Sequence, residues 1–243
     1  MNPYFVIILG LLPAIFLFAF IYFKDKHQPE PAGKLLSAFA LGVVSILPVF
    51  IYGILVSIFT ALLGGYGGLY GALFNAFVMA AIPEEASKLL MLWLVLRKNR
   101  YFDEKLDGIV YGACVALGFA AFENVLYLFG NVDTLYEVAT TRALLAVPMH
   151  FCCGVIMGYY VSMAKFYPYC RNMNFALAFI VPMAIHGIYD ALLMMMPVIP
   201  VLNLLLFGGV IAFSFFVWKR ALSYIRQHKL RDELDKDVEC EKL

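Results

Sequence analysis

The chain has 243 residues, of which 63% are hydrophobic and only 14% are charged, against about 25% charged in soluble domains. This composition excludes a soluble domain held by one anchor, and it predicts an all-α, polytopic transmembrane helical bundle. The net charge of +1, without any basic patch suited to nucleic acid, argues against nucleic acid as a partner and leaves the lipid bilayer as the expected surroundings.

Seven apolar stretches are long enough to cross a bilayer of about 30 Å, which takes roughly 17–25 helical residues. The first lacks a basic segment before it and a small-residue cleavage site, and Lys24 and Lys26 follow it. We therefore expect a retained helix and not a cleaved signal peptide. The predicted spans are 3–23, 35–60, 69–96, 107–129, 142–164, 175–196 and 200–218.

Lysines and arginines occur on alternate connections between the spans, which predicts the orientation of the chain. The basic connections are 24–34, 97–106, 165–173 and the segment after Trp218. The positive-inside rule then places the N-terminus outside and the C-terminus in the cytoplasm. We expect one transmembrane domain, residues 1–218, followed by a charged cytoplasmic helical tail with a solvated end, residues 219–243. The glycine-rich segment 64–71 is either a plain outer loop or a re-entrant gate.

Ionisable side chains inside the spans are few, and each costs roughly 2.5–3.5 kcal/mol at the bilayer centre. Glu84, Glu85 and Lys88 follow Pro83, whose missing N–H predicts a kink or a restart of the helix. At about 1.5 Å of rise per residue, all such groups fall between the midplane and the outer leaflet, so we expect one cluster. The members on the other spans are Glu123, His150, His186 and Asp190.

Carboxylates and imidazoles at one depth are the groups that activate water or bind zinc. Glu84 or Glu85 is the expected general base. His186 shares a helix face with Asp190, which would hold one tautomer, so His186 would bind metal or stabilise an oxyanion. Two versions stay open: a metal-free glutamate–histidine mechanism, and a zinc ion held by Glu123, His150 and His186.

Two other classes of protein also fit buried polar groups. A proton- or metal-coupled membrane transporter uses such residues beside proline-broken helices, although no inverted repeat is visible here. A non-catalytic membrane scaffold would keep the cluster as a structural metal site. We interpret Lys88 as the charge-balancing partner of Glu84 or Glu85, and Arg142 as a residue of the outer interface.

Several spaced motifs resemble the PrsW family of intramembrane proteases. They are Glu84-Glu85-x-x-Lys88, Leu106-Asp-Gly-Ile-Val-Tyr-Gly112, Phe119-x-x-x-Glu123 continuing through Asn124 to Tyr127, the segment from Arg142 to His150, and His186-x-x-x-Asp190. The resemblance covers residues 69–190, the family-like core. It implies a multi-pass endopeptidase of the bacterial cytoplasmic (inner) membrane, related to the type II CAAX prenyl endopeptidases and the ABI proteins.

The resemblance also implies which residues and substrates to expect. Single-span membrane proteins similar to anti-sigma factors would be cut on the extracytoplasmic side. The depth estimated from the loop charges agrees with such a cut. The implied catalytic residues are Glu84, Glu85, Glu123, His186 and Asp190.

Overall fold

The computed structural model describes residues 2–25, 28–62 and 65–240, with side chains as far as Asp235. Six helical segments in these ranges are long and apolar enough to cross a membrane. The predicted polytopic, all-α bundle is thereby confirmed. Lys26 and Gly64, which entered the sequence predictions, lie outside the described residues.

Ten α-helices make up most of the described chain. Two of them are each preceded, without a break, by a π-helical turn, and three short 3₁₀ turns join others. The α-helices are α1 (Pro3–Lys24), α2 (Ala32–Val44), α3 (Ile46–Leu62), α4 (Gly68–Phe74), α5 (Ile82–Leu96), α6 (Lys105–Gly130), α7 (Leu135–Thr141), α8 (Val147–Phe166), α9 (Arg171–Met195) and α10 (Asn203–Cys240).

The third predicted span is helical from Gly68 to Leu96, but it does not belong to the six apolar segments. Its hydropathy is lowered by Glu84, Glu85 and Lys88, which are all buried. Neighbouring helices shield these charges, since α5 packs against α2, α3, α6 and α9. The count of seven membrane crossings therefore remains a prediction.

Both π-helical turns end two residues before a proline. Asn75–Ala81 comes before Pro83, and Arg142–Ala146 comes before Pro148. A π turn pairs each N–H with the carbonyl five residues back, so it accommodates the missing N–H and the ring without ending the helix. The helix therefore continues unbroken through Pro83 after a π turn, and the predicted restart at Pro83 is not observed. The defining hydrogen bonds run from Ile82 N–H to Phe77 O and from Val147 N–H to Arg142 O.

Helix α6 lies at the centre of the bundle, and its closest neighbour is α8. Gly112 on α6 faces Gly154 and Gly158 on α8, and a Cβ atom at Gly112 would lie 3.0 Å from the Cα of Gly158. Only glycine permits this backbone approach, and small residues four positions apart, such as Gly108 and Gly112, are typical of such close helix packing. The contact fixes the relative position of the side chains that α6 and α8 carry.

The last helix, α10, continues well past the predicted span, so the tail is helical as expected. One face of residues 221–232, however, packs back onto the protein, and the expected solvated end is wrong for the residues of that face. His228 is fully buried and stacks on Tyr159 with the ring centroids 4.3 Å apart. Asp232 accepts the backbone N–H groups of Lys105 and Leu106 at 2.9 Å and so caps the start of α6. The domain division at residue 218 stays a prediction.

Candidate active site

Two glutamates and a lysine project from the first turns of α5 into the protein interior. The Nζ atom of Lys88 lies 3.2 Å from Oε2 of Glu84 and 2.8 Å from Oε1 of Glu85. Their spacing of three and four residues places all three on one helix face. The predicted role of Lys88 as the charge-balancing partner is confirmed for both glutamates.

The same ammonium group connects α5 to α8 and α6. It lies 3.1 Å from Nδ1 of His150 and 4.0 Å from the ring centroid of Phe119. Because an ammonium only donates hydrogen bonds, Nδ1 accepts, and the proton of the neutral imidazole sits on Nε2. That Nε2 lies 3.0 Å from Oε2 of Glu123 and donates to it. His150 is therefore hydrogen-bonded on both sides.

His186 on α9 completes the cluster. Its Nδ1 donates to Oε1 of Glu85 at 2.9 Å, while its Nε2 lies 3.3 Å from Oδ2 of Asp190 and 3.9 Å from Oε2 of Glu84. Glu85, on a different helix, thus holds the ring at Nδ1, and Asp190 faces the other nitrogen. The imidazoles of His186 and His150 meet edge to face with centroids 5.0 Å apart. All six site residues predicted from the sequence come together, on four helices.

Arg142 also belongs to this cluster, and its interpretation as an outer-interface residue is wrong. The side chain is only 12% exposed, and Nη2 lies 2.5 Å from Oε2 of Glu123. Its Nε donates to Oδ1 of Asn124 at 2.9 Å, and the guanidinium stacks 3.9 Å above the ring of Tyr127. Asn124 in turn donates to the carbonyl of Gly10 on α1 at 2.8 Å. Arg142 therefore holds Glu123 in place.

A cavity of about 300 Å³ opens onto the cluster. Glu84 lines it, whereas the side chain of Glu85 is fully enclosed behind. The two neighbouring glutamates thus have different surroundings. The polar groups that line the cavity are Glu84, Glu123, Tyr127, Thr141, Arg142, His150, His186, Tyr189 and Asp190.

Four residues of the cluster hold ligand atoms close enough together for a divalent metal ion, but the ammonium of Lys88 competes with a metal there. Ligand atoms of Glu84, Glu85, His150 and His186 lie within 4.8 Å of one another, but the ammonium of Lys88 contacts three of these residues. On the cavity side, Nε2 of His186 faces oxygens of Asp190 and Glu84, which is a donor set that zinc accepts. Glu85 at Nδ1 supplies the carboxylate that commonly orients a metal-binding imidazole.

The predicted ligand set of Glu123, His150 and His186 meets this geometry only in part. The Nε2 atom of His150 carries a proton, and one oxygen of Glu123 already accepts from both His150 and Arg142. The Nε2 atom of His186 lies on the cavity side, 3.3 Å from Oδ2 of Asp190 and 3.9 Å from Oε2 of Glu84.

A second polar cluster lies at the opposite end of α6, where the short connection between α1 and α2 meets it. Asp25 and Glu30 are buried there, and Glu30 accepts a short hydrogen bond from the hydroxyl of Tyr111. Burial raises the pKa of Asp25 to about 7 and also raises the pKa of Glu30. Asp107 of this cluster and Glu123 are separated by about 24 Å of helix. The two clusters are therefore separate sites.

Comparison with known proteins identifies relatives over most of the chain. Residues 30–219 match the model of the family described as PrsW family intramembrane metalloprotease. The chain is 39% identical over 190 residues to Protease PrsW of Bacillus subtilis, an alignment that covers 77% of this chain and 82% of the relative.

Two further relatives show the same pattern. Protease PrsW of Geobacillus kaustophilus is 36% identical over 185 residues, covering 76% of this chain and 78% of the relative. Protease PrsW of Oceanobacillus iheyensis is 38% identical over 186 residues, covering 76% of this chain and 80% of the relative. No solved structure matches the chain.

Proposed function

The chain belongs to the PrsW family of intramembrane metalloproteases, and from this premise we propose that it hydrolyses peptide bonds in the cavity beside Glu84, Glu123, His186 and Asp190. The observation that carries the proposal is the convergence of these four side chains on one cavity of about 300 Å³ inside a helical membrane protein. Family membership favours a protease over the carrier and scaffold hypotheses.

Glu84 is the general base in this proposal, because it lines the cavity whereas Glu85 is enclosed. Its carboxylate takes a proton from water as the water oxygen bonds to the scissile carbonyl carbon. The proton then passes to the amide nitrogen as the C–N bond breaks. Lys88 holds Glu84 in position, and Glu85 holds His186 at Nδ1 so that Nε2 faces Glu84 and Asp190.

We assign the metal of this metalloprotease family to Glu84, His186 and Asp190 and propose zinc as the ion. A bound zinc ion supplies Lewis acidity and lowers the pKa of its water to about 7. A carboxylate has two oxygens, so a glutamate that binds through one keeps the other to accept a proton. Without a metal, Glu84 remains the base, and His186 stabilises the oxyanion.

We propose that the substrates are single-span membrane proteins, similar to anti-sigma factors, cut on the extracytoplasmic side. The support is the family resemblance together with the depth of the cluster, which the loop charges predict to lie between the midplane and the outer leaflet. We also propose the bacterial cytoplasmic membrane as the location, which the family resemblance implies.

The function is tested in a Bacillus subtilis strain that lacks its own Protease PrsW and expresses this chain. New N-termini of membrane proteins are identified by mass spectrometry and compared with a strain expressing Glu84→Gln. We expect cleavage products near extracytoplasmic membrane boundaries that disappear with Glu84→Gln at unchanged protein level. Products that persist with this variant would contradict the assignment of the base.

The metal is tested on protein purified in mild detergent, by measuring zinc per chain. We expect near-stoichiometric zinc that is lost in His186→Ala and Asp190→Ala and kept in Glu123→Gln. If zinc is lost in Glu123→Gln and kept in Asp190→Ala, the ligands are instead Glu123, His150 and His186. If the folded protein contains no metal, the zinc mechanism is excluded and the metal-free glutamate–histidine mechanism remains.

A further inference from the structure

A cleft of about 510 Å³ lies at the end of α5 opposite Glu84. Its walls are the end of α5, the connection that follows it, the end of α8 and the start of α9. Five basic residues line this cleft, and its lining includes no acidic residue. The basic residues are Arg97, Lys98, Arg100, Lys165 and Arg171.

The basic side chains of the cleft form no salt bridge with the described residues. Within the part of the chain that the structure describes, no carboxylate lies within 4.0 Å of any of these five side chains. Aromatic rings lie beside three of them, Arg97, Arg100 and Lys165. The guanidinium of Arg97 lies 5.0 Å from the ring centroid of Trp93, and the ammonium of Lys165 lies 3.9 Å from that of Phe102. A concave surface with five such cations attracts an anion.

The remainder of the cleft is apolar, and it lies at the level where the spans end. Trp93, Leu96, Val161 and Phe175 line this part. Tryptophan at a span end is typical of the membrane–water interface. A ligand that fits therefore carries negative charge at one end and hydrocarbon at the other. The cleft volume falls within the range of about 300–1,000 Å³ that is usual for small-ligand sites.

We propose that this cleft binds the phosphate headgroup of an anionic phospholipid, with the acyl chains against Trp93 and Phe175. A soluble phosphate would match the cations but not the apolar wall. The headgroup connects the ends of α5, α8 and α9, the helices that also carry Glu84, His150 and His186. The lipid thereby ties together the three helices that support the candidate active site.

The test is native mass spectrometry of the intact chain in mild detergent, titrated with phosphatidylglycerol or with phosphatidylcholine of the same acyl chains. The cleft variant combines Arg97→Gln, Lys165→Gln and Arg171→Gln. The control variant, matched in charge, combines exposed residues of α10 outside the cleft. These control substitutions are Lys219→Gln, Arg220→Gln and Arg226→Gln.

We expect the wild-type chain and the control variant to bind phosphatidylglycerol at least about tenfold more tightly than phosphatidylcholine, and the cleft variant to lose this preference. Equal loss in both variants would overturn the proposal, because it would show an effect of overall charge. If the cleft variant keeps the preference for phosphatidylglycerol, the proposal is overturned as well. Glycerol 1-phosphate that binds as tightly as the lipid would assign the cleft to soluble phosphate instead.

Folding of the variants is checked by thermal unfolding without added lipid, where all three proteins are expected to melt together. If the triple cleft variant melts earlier, Arg171→Gln alone replaces it, and the expected result is a smaller loss of the same preference. No loss in a folded Arg171→Gln chain would then contradict the proposal.

Discussion

Lys88 is the residue on which the other charged groups of the candidate site depend. Its buried ammonium contacts Glu84, Glu85 and His150, and so it connects two helices through charge-assisted hydrogen bonds. An unpaired charge in such surroundings is costly, which explains why two carboxylates accompany it. The site is therefore stable only with these charges balanced.

Exchanging the two neighbouring glutamates separately should give different results. Glu85→Gln removes the carboxylate between Lys88 and His186, and we expect the free energy of unfolding to fall by about 3–5 kcal/mol, as for a broken buried ion pair. Glu84→Gln should abolish cleavage with a smaller loss of stability, because Glu84 lies at a cavity. Thermal unfolding in one detergent compares them, and identical melting temperatures would contradict the distinction.

Arg142 should act on catalysis through Glu123. Arg142→Gln removes a charged hydrogen bond to that carboxylate, so we expect kcat on a labelled single-span substrate to fall about 10- to 100-fold. The kcat of Arg142→Lys should lie between those of the wild type and Arg142→Gln, since lysine keeps the charge but not the planar contacts to Asn124 and Tyr127. The exposed Asp133→Asn serves as the control. An unchanged kcat with a raised KM would instead assign Arg142 to substrate binding.

At the level of single residues, the sequence was sufficient for the cluster but not for its internal order. Charged groups at one depth in an apolar chain have to meet, so Glu84, Glu123, His150 and His186 could be predicted. The roles of Glu84 and Glu85 could not be separated, because exposure to a cavity depends on helix packing. Arg142 was missed since a basic residue at a span end usually faces water.

Among the elements, α10 shows the largest departure from expectation. Charge at the end of the chain suggested solvent, but one apolar face recurs along the helix and packs against α8. The buried residues on this face are Ala221, Ile225, His228 and Asp232. The buried face was not evident from the sequence, because charged and exposed side chains recur every few positions and dominate the composition of this segment.

Replacing Asp232 should loosen the start of α6. Asp232→Ala removes the acceptor for two backbone N–H groups, and we expect a loss of about 0.5–2 kcal/mol and faster hydrogen exchange at residues 103–108. Asp235→Ala is the matched control, because the side chain of Asp235 is 68% exposed and contacts only that of Lys105. Equal exchange in both variants would contradict the capping role.

The π turns could not be predicted from the sequence, although their prolines could. A proline requires only that the local hydrogen bonding change, and a kink, a break or a π turn each satisfies that requirement. Packing against α9 decides between them. The ring of Phe77, within the first π turn, lies directly against the backbone of Gly187.

For the whole molecule, the orientation in the membrane is the prediction that most needs a measurement. A single cysteine is introduced as Asp133→Cys or as Lys98→Cys in a chain whose Cys170 and Cys240 are replaced, while the other three cysteines are buried. A membrane-impermeant maleimide applied to intact cells should label the first and not the second, because basic connections stay inside. Labelling in the reverse pattern would invert the topology and the proposed side of cleavage.

The close backbone contact at Gly112, Gly154 and Gly158 leaves no space between α6 and α8 for a substrate strand. Glu123 and His150 therefore move as one rigid frame. A polypeptide therefore has to reach the site through the cavity that Glu84, Glu123 and His186 line, and not between α6 and α8. The pair α6 and α8 serves as a fixed support against which the scissile bond is positioned.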